Sequence, residues 1–596
     1  MEKIGPVFGE FITTEEIKRR GNYHGEKDFR GMRIYLGPLV IGVIILVILL
    51  RLFFIQIVQG NYYRSLSDTN RIKTIVVNAP RGIIFDRNKK PLVFNIPGFR
   101  QKVKGETLLI GREEAIALIA EGKKDFEIDS LRDYPYKDAM SHLLGYIGQI
   151  SKEELRASEF SSYKSGDVVG KIGIERQYEG LLKGEDGKQL AEIDSMGKVI
   201  RKLGETDPVP GRNIILTIDA DLQKKAFESL KNVKKGAVIV STPKGEILAL
   251  VSKPSFDPNL FTQGEDYSVA ASNAAVGPVY KNVSEILNAS ENQPFLNRAI
   301  GGLYPPGSTF KLITAAAGLE NGLIDTSYSV KDTGIVRLGT FSFANWYFTN
   351  YGGTDGEVNV VKAIKRSNDI FFYKLAEKVG VERLSEMARK FRVDKALGID
   401  LEGETKGLVP TDEWKRKNIG EQWFLGDTYN YGIGQGYLLA TPLEVNSWAQ
   451  IIANNGTLYR PYIFKDLGAK KLNNNFLSSK TVNPIRQGMI EACQAGGVAW
   501  PLFDFKVKNP KLKIDGRNFL KVATGSADFR QVVVACKTGT AQHGGEHTLP
   551  HAWITLFAPA YDPKIVVTVL AEESGEGSNV AAPIAKKILE EWFSKK

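Results

Sequence analysis

The sequence is short of the residues that would staple a fold or ligate a metal. Only two cysteines occur in 596 residues, Cys493 and Cys536, too few for a disulfide framework. Histidine is nearly as scarce at five, and neither residue type occurs between Ser308 and Ser367. Three of the five, His543, His547 and His551, share one segment. Gly544-Gly545 and Pro550 make that segment a loop without helical spacing, so no metal site is expected there. Blocks of basic residues alternating with aromatics are also missing. The net charge of +11 is spread out with acids interleaved, which argues against a nucleic-acid partner and leaves a basic surface suited to anionic lipid or polymer.

Long apolar runs are absent too, with one exception. From Ile34 to Leu50 there is no charge, and the run resumes after Arg51 to end near Val58. The uncharged part reaches about 25 Å as a helix, slightly short of a bilayer core, so the span includes part of the continuation, with Arg51 extended towards the interface. A single transmembrane helix over 34–58 is expected. A cleaved leader fits poorly, because the preceding tail is long and Gln59-Gly60-Asn61-Tyr62-Tyr63 has no small-residue cleavage pattern. Lys18, Arg19, Arg20, Lys27, Arg30 and Arg33 outnumber the basic residues just after the run. That bias puts the tail 1–33 in the cytoplasm and everything beyond about 59 outside.

A chain this long exceeds one hydrophobic core, so two or more domains are expected beyond the anchor. Residues 59–205 read as an elongated pedestal, with strands at 70–77 and 80–88 and helical stretches at 112–121 and 173–182, and without a catalytic constellation. Residues 206–596 read as a second domain, opening with a strand at 213–219 and a helix at 221–230. Segments 237–240 and 247–251 flank Pro243-Lys244-Gly245, a hairpin signal. Segments 531–536, 552–557 and 565–570 are three more strands, and 580–593 a final helix. Runs so apolar predict a sheet covered on both faces. Strands from both ends of the domain share it, and the helical middle packs on one side, an α+β fold.

That middle contains the stretch Pro305-Pro306-Gly307-Ser308-Thr309-Phe310-Lys311. The prolines and glycine end the preceding segment, so a helix can begin at Ser308. Phe310, Leu312, Ile313, Ala315, Ala316, Ala317 and Leu319 leave it almost no polar face before Asn321-Gly322 stops it. Lys311 is the exception. Residues three apart share a helix face, so its amine can reach the Ser308 hydroxyl, and burial beside a helix N-terminus disfavours the ammonium form. Lys311 is a candidate base for a Ser308 nucleophile. The pattern S-x-x-K recurs at Ser161, Ser195 and Ser241, so its setting rather than its letters carries the reading. The milder alternative is a capping serine and a lysine extended to the surface.

Two further motifs follow. Ser367-Asn368-Asp369 precedes an apolar helical stretch, and Lys537-Thr538-Gly539-Thr540 stands at the mouth of the 532–536 strand. A second serine near Lys311 can relay a proton to a leaving amine. Lys537 can repel charge from Lys311 and bind a substrate carboxylate. Gly539 leaves room for a substrate backbone at the strand edge.

In this order the three motifs resemble those of the penicillin-recognising serine acyltransferases. Residues Arg81-Gly82-Ile83-Ile84-Phe85-Asp86-Arg87-Asn88 and Arg176-Gln177-Tyr178-Glu179-Gly180-Leu181-Leu182-Lys183-Gly184 are similar to the N-terminal module of class B penicillin-binding proteins. Gly426-Asp427-Thr428, Gly432-Ile433-Gly434-Gln435-Gly436-Tyr437 and Thr441-Pro442-Leu443 look most like the elongation type. The resemblance implies a mainly antiparallel five-stranded sheet flanked by helices, with a helical subdomain, and a peptidoglycan D,D-transpeptidase that needs no cofactor. Ser308 would attack the D-Ala-D-Ala carbonyl of a stem peptide, and Lys311 would take its proton. Ser367 and Lys537 would complete the catalytic set, while Asp369, Thr538, Gly539 and Thr540 would hold substrate. Backbone N–H groups of Ser308 and Thr540 would form the oxyanion hole. β-Lactams would acylate Ser308, and a RodA-like glycan polymerase of the membrane is the implied partner. Asp369 departs from the commoner asparagine. An ionised aspartate accepts hydrogen bonds but donates none, so it is available to pair with Lys311 or Lys537. A division-type homologue, a β-lactamase and a non-enzymatic scaffold that activates the polymerase are the competing readings.

Overall fold

A computed structural model describes residues 30–103, 106–110, 112–121, 126–194, 199–263, 267–268, 277–509, 512, 529–545 and 548–595. Most of the tail expected over 1–33, with Lys18, Arg19, Arg20 and Lys27, lies outside the described residues, as does His547. Contacts divide the chain into two units, the residues up to Val76 with Lys188–Thr206, and Val77–Gly187 with Asp207–Lys596.

In the first unit, helix α1 spans Arg30–Phe53 and continues as a π-helical turn, Phe54–Val58. Its apolar segment Leu36–Val58 is 23 residues long and contains no buried residue. Among the described residues it is the one helix long and apolar enough to cross a membrane, as a single-pass anchor requires. Farther on lies a three-stranded sheet of Ile72–Val77, Gly187–Ile193 and Val199–Thr206.

The second unit begins with another small sheet. Ile84–Phe85 pairs antiparallel with Pro91–Val103 and parallel with Ile214–Ile215. The strand expected over 213–219 is thus two residues long and belongs to this sheet. Thr217 leaves the ladder to bond the Ile463 carbonyl through its N–H and the Ile247 carbonyl through its hydroxyl. Two motifs far apart in sequence meet here. Arg81 donates to Glu175 at 2.9 Å and Glu179 at 2.8 Å, and Arg132 donates to Glu175 at 2.7 Å. Burial opposes a charge on Glu175, but the guanidiniums of Arg132 and Arg81 prevail and hold its carboxyl below the usual range.

The larger sheet has five strands, β1 (Gly236–Ser241), β2 (Ile247–Lys253), β3 (Ala535–Ala541), β4 (His551–Ala558) and β5 (Ile565–Ala571), in the order β2-β1-β5-β4-β3. Every pairing is antiparallel. Successive side chains serve opposite faces. Ala237, Ile239, Trp553, Phe557, Val566 and Leu570 join the core of the helical middle. Val238, Val240, Ile554, Leu556, Val567 and Val569 join a second core closed by the helices Ala220–Ser229 and Ala582–Ser594. The sheet is therefore covered on both faces, as its apolar runs predict.

The middle supplies helices α2 (Lys311–Glu320), α3 (Val360–Arg366), α4 (Asp369–Lys390) and α5 (Ser479–Ala492). The two cysteines, too few for a framework, nevertheless form one bond. Cys493, just past α5, is joined to Cys536 of β3 with their Cα atoms 6.0 Å apart. Strand β3 also corrects the expectation for 531–536. Residues Phe529–Gln531 form a separate short strand paired with Lys506–Lys508, and Lys537-Thr538-Gly539-Thr540 lies inside β3. A polar run reads as loop in the sequence, yet here it makes a full ladder with Ala552–Thr555 of β4.

Candidate active site

The Ser308 turn is tighter than the helix start expected from sequence. Gly307–Phe310 is a 3-10 turn, and the α-helix begins at Lys311; such turns are frequent at helix N-termini. The Thr309 hydroxyl donates to the Pro306 carbonyl at 2.8 Å and fixes the turn from inside. Gly307 has φ of 55°, and a Cβ there would stand 2.9 Å from the Thr540 carbonyl oxygen. Only glycine brings this turn so close to β3 without strain. Gly539 answers from the strand. A Cβ on it would press on Thr309 and Trp553 at 3.0 Å, so its bareness seats β3 against the turn. The first and third motifs, far apart in sequence, therefore share one wall.

The second motif closes the opposite side. Ser367 ends α3 in the left-handed region with φ of 54° and ψ of 36°, a conformation that costs a non-glycine residue about 1–3 kcal/mol and persists where surroundings enforce it. Lys537 Nζ donates to Ser367 Oγ and to the Thr538 carbonyl, both at 2.8 Å. Lys311 Nζ donates to the Ser367 carbonyl at 2.8 Å and to Ser367 Oγ at 3.4 Å. One hydroxyl thus lies between two amines. Lys311 also pairs with Asp369 Oδ1 at 2.6 Å, which settles the choice left open by the sequence in favour of Lys311. The other carboxylate oxygen, Asp369 Oδ2, accepts from the Trp346 N–H at 3.0 Å.

Neither lysine reaches solvent, each being 0% exposed. Burial pushes the Lys311 amine below the ordinary lysine value, against the pull of Asp369. Burial and then repulsion by Lys311 push Lys537 well below it, with Asp369 again opposing. A buried pair of amines beside a single carboxylate favours at least one neutral amine at ordinary pH. Ser308 is half-buried, and its hydroxyl makes no hydrogen bond among the described residues. Lys311 directs its bonds to Ser367 and Asp369 instead. Thr538 is buried and Thr540 exposed on β3, with the Thr540 hydroxyl accepting from Gly577 N–H at 3.4 Å.

Chemically, this is an unengaged hydroxyl at a helix mouth, two amines depressed towards neutrality and a serine able to pass a proton between them. Such a set suits acyl transfer. Lys311, Ser367, Asp369 and Lys537 are joined by hydrogen bonds, whereas the contact expected from Lys311 to the Ser308 hydroxyl is not among the bonds of the described residues. Trp346 and Gly577 escaped that reading because neither stands in a motif. His543 and His551 stack 3.8 Å apart beyond the end of β3, and among the described residues no cluster of three or more potential ligands could hold a metal ion.

Residues 235–590 match the family described as "Penicillin binding protein transpeptidase domain", and residues 112–216 match "Penicillin-binding Protein dimerisation domain". The peptidoglycan D,D-transpeptidase MrdA of Acinetobacter baumannii is 31% identical, over 95% of this chain and 88% of its own length. A complex between penicillin-binding protein 2 and MreC from Helicobacter pylori contains a chain 26% identical with a TM-score of 0.71, covering 87% of this chain and 98% of that one. A structure described as "Structural coordination of polymerization and crosslinking by a peptidoglycan synthase complex" is 26% identical with a TM-score of 0.69, covering 95% and 99%.

Proposed function

The chain belongs to the penicillin-binding protein transpeptidase family, and from that premise we propose that it crosslinks peptidoglycan stem peptides as a D,D-transpeptidase of the elongation type, penicillin-binding protein 2. Ser308 Oγ attacks the penultimate D-Ala carbonyl while Lys311, in its neutral form, takes the hydroxyl proton. The oxyanion forms against the backbone N–H groups of Ser308 and Thr540, and each such donor is worth about 3 to 4 kcal/mol in related acyl transfers. Ser367 and Lys537 carry a proton to the departing D-Ala amine, and an ester remains on Ser308. An amine from a second stem attacks the ester, restoring the hydroxyl and leaving a peptide crosslink. Asp369, Thr538, Gly539 and Thr540 line the substrate's path, and Lys537 also faces its carboxylate. β-Lactams stop the cycle at the Ser308 ester. The observation that carries this reading is the placement of Ser367 Oγ 2.8 Å from Lys537 and 3.4 Å from Lys311, with Ser308 on the turn that leads into the Lys311 helix and packs against β3.

The organisation that serves this activity is a cytoplasmic tail 1–33, an anchor 34–58, a pedestal 59–205 and a transpeptidase domain 206–596 outside the membrane of a bacterium. A RodA-like polymerase and MreC-like proteins are its partners. The likeness to a synthase complex and to an MreC-bound chain supports those assignments.

Fluorescent penicillin labelling of the detergent-solubilised full chain tests the reading. Durable labelling that Ser308→Ala abolishes is the expected result. Rapid turnover of the label would make the protein a β-lactamase, and a folded chain that takes no label would make it a scaffold. Rounded cells on depletion, rather than filaments, separate elongation from division.

A further inference from the structure

Behind the second motif lies a set of buried polar side chains that the reaction scheme does not use. Asp332 Oδ2 accepts from Asn345 Nδ2 and Asn368 Nδ2, each at 2.8 Å, and from the Asp355 N–H at 2.9 Å. Its Oδ1 accepts from the Gly334 N–H at 2.8 Å. The two asparagines are 0% exposed and Asp332 4%, so no water competes for these bonds. Each asparagine turns its own oxygen to the start of α4. Asn345 Oδ1 accepts from the Asp369 N–H at 3.1 Å, and Asn368 Oδ1 accepts from the Phe371 N–H at 2.9 Å.

The chemistry of the donors makes this directional. An ionised carboxylate can only accept, so each amide facing Asp332 must present its NH2 and keep its oxygen for α4. Had the central residue been an amide, its NH2 would face either the Gly334 N–H, loosening that turn, or the Asp355 N–H and both asparagine NH2 groups, pressing the asparagines to turn over. A turned asparagine would aim NH2 at the backbone N–H of Asp369 or Phe371 and unseat the helix start. Asp369 is the first residue of that helix. Its carboxylate spans Lys311 at 2.6 Å and the Trp346 N–H at 3.0 Å, so displacement of its backbone displaces the counter-ion of the candidate base.

We propose that Asp332 is a positioning residue for acyl transfer, fixing the amide orientation of Asn345 and, together with Asp355, whose Oδ2 accepts from Asn368 Nδ2 at 3.0 Å, that of Asn368, and through them the Asp369 carboxylate that faces Lys311. This rests on the acyl-transfer reading of Ser308. The closest-shaped perturbation is Asp332→Asn, which keeps the side-chain volume and removes the acceptor-only character.

The test is the rate of acylation of the full chain by fluorescent penicillin, in a cycle of wild type, Asp332→Asn, Asp369→Asn and the double variant. Asp332→Asn is expected to slow acylation about tenfold to a hundredfold, the scale of a sub-ångström misplacement at a reacting centre. The double variant should be no slower than Asp369→Asn alone, because the two residues act along one path. The charged groups facing Lys311 are Asp369 from α4 and Lys537 from β3. Asp332→Asn should therefore move the acid limb of the rate profile in the same direction as Asp369→Asn. Wild-type rates for Asp332→Asn, slowdowns that multiply in the double variant, or an unmoved limb would each overturn the proposal. Should Asp332→Asn not accumulate folded, Asn345→Ala, which keeps the carboxylate and deletes the link to Asp369, enters the same cycle under the same rules. Failure of the underlying reading looks different, because the wild type would then take no label or Ser308→Ala would keep it.

Discussion

Gly307→Ala separates the effect of backbone strain from that of closeness to β3. Alanine at φ of 55° carries a left-handed penalty of about 1–2 kcal/mol. Its Cβ would also stand 2.9 Å from the Thr540 carbonyl oxygen and 3.1 Å from Ala541 Cβ. Ordinary contact begins near 3.4 Å, so the Ser308 turn and β3 must part by about half an ångström. Both neighbours are ordered structure, which makes the movement a change in the site. If a misplacement of about 1 Å costs a hundredfold in rate, half of it costs about tenfold, or 1.4 kcal/mol of barrier. Gly322→Ala is the control. It stands at φ of 66° with nothing within 4 Å of its would-be Cβ, so it bears similar strain without a contact. Stopped-flow acylation by fluorescent penicillin and thermal melting should show both variants losing about 1–2 kcal/mol of stability, with only Gly307→Ala acylating about tenfold more slowly. Equal acylation rates for the two variants would refute the argument that this contact sets the reacting geometry.

Two further outcomes follow from the site. Asp369→Asn removes the one anion that raises the Lys311 amine. The ammonium form then loses favour, the amine becomes neutral at lower pH, and the acid limb of acylation should move to lower pH with a reduced plateau, since a weaker base pulls less. A limb displaced to higher pH would contradict Lys311 as the base. Cys493→Ser with Cys536→Ser opens a bond across 43 residues, a loop for which chain entropy predicts about 4 kcal/mol and practice about 2–4. Denaturant unfolding under oxidising conditions measures the loss, and an unchanged midpoint would show that the bond contributes nothing.

Much of this architecture was legible because the sheet's apolar segments are buried on both faces. Segments 237–240, 247–251, 552–557 and 565–570 fall within β1, β2, β4 and β5. Strand β3 was misread because Lys537, Thr538 and Thr540 carry no hydrophobic period, and their place in the ladder comes from β4 and the Ser308 turn. The two-residue pairing of Ile214–Ile215 with Ile84–Phe85 has no local signature, since it joins segments remote in sequence. The disulfide was equally invisible, as pairing depends on a Cα separation that only the fold sets. At the site, the motifs named Lys311, Ser367, Asp369 and Lys537, which the structure joins by hydrogen bonds. The alternative partners of Asp369 were resolved only by placing Lys311 2.6 Å away, and the Asp332 cluster had no motif to announce it.

The order of the large sheet has a consequence for biogenesis. Strand β1 lies between β2, its immediate successor, and β5, the last of the five in chain order. Synthesis runs from the other end, so the ribosome releases Ser308 long before Lys537 and before the strands that seat it. A nascent polypeptide can make the β1-β2 hairpin early, but the wall that β3 gives the Ser308 turn waits for strands made more than 200 residues later. Chains cut short before residue 565 would carry a serine without a pocket, and quality control would meet an incomplete sheet rather than a misdirected enzyme.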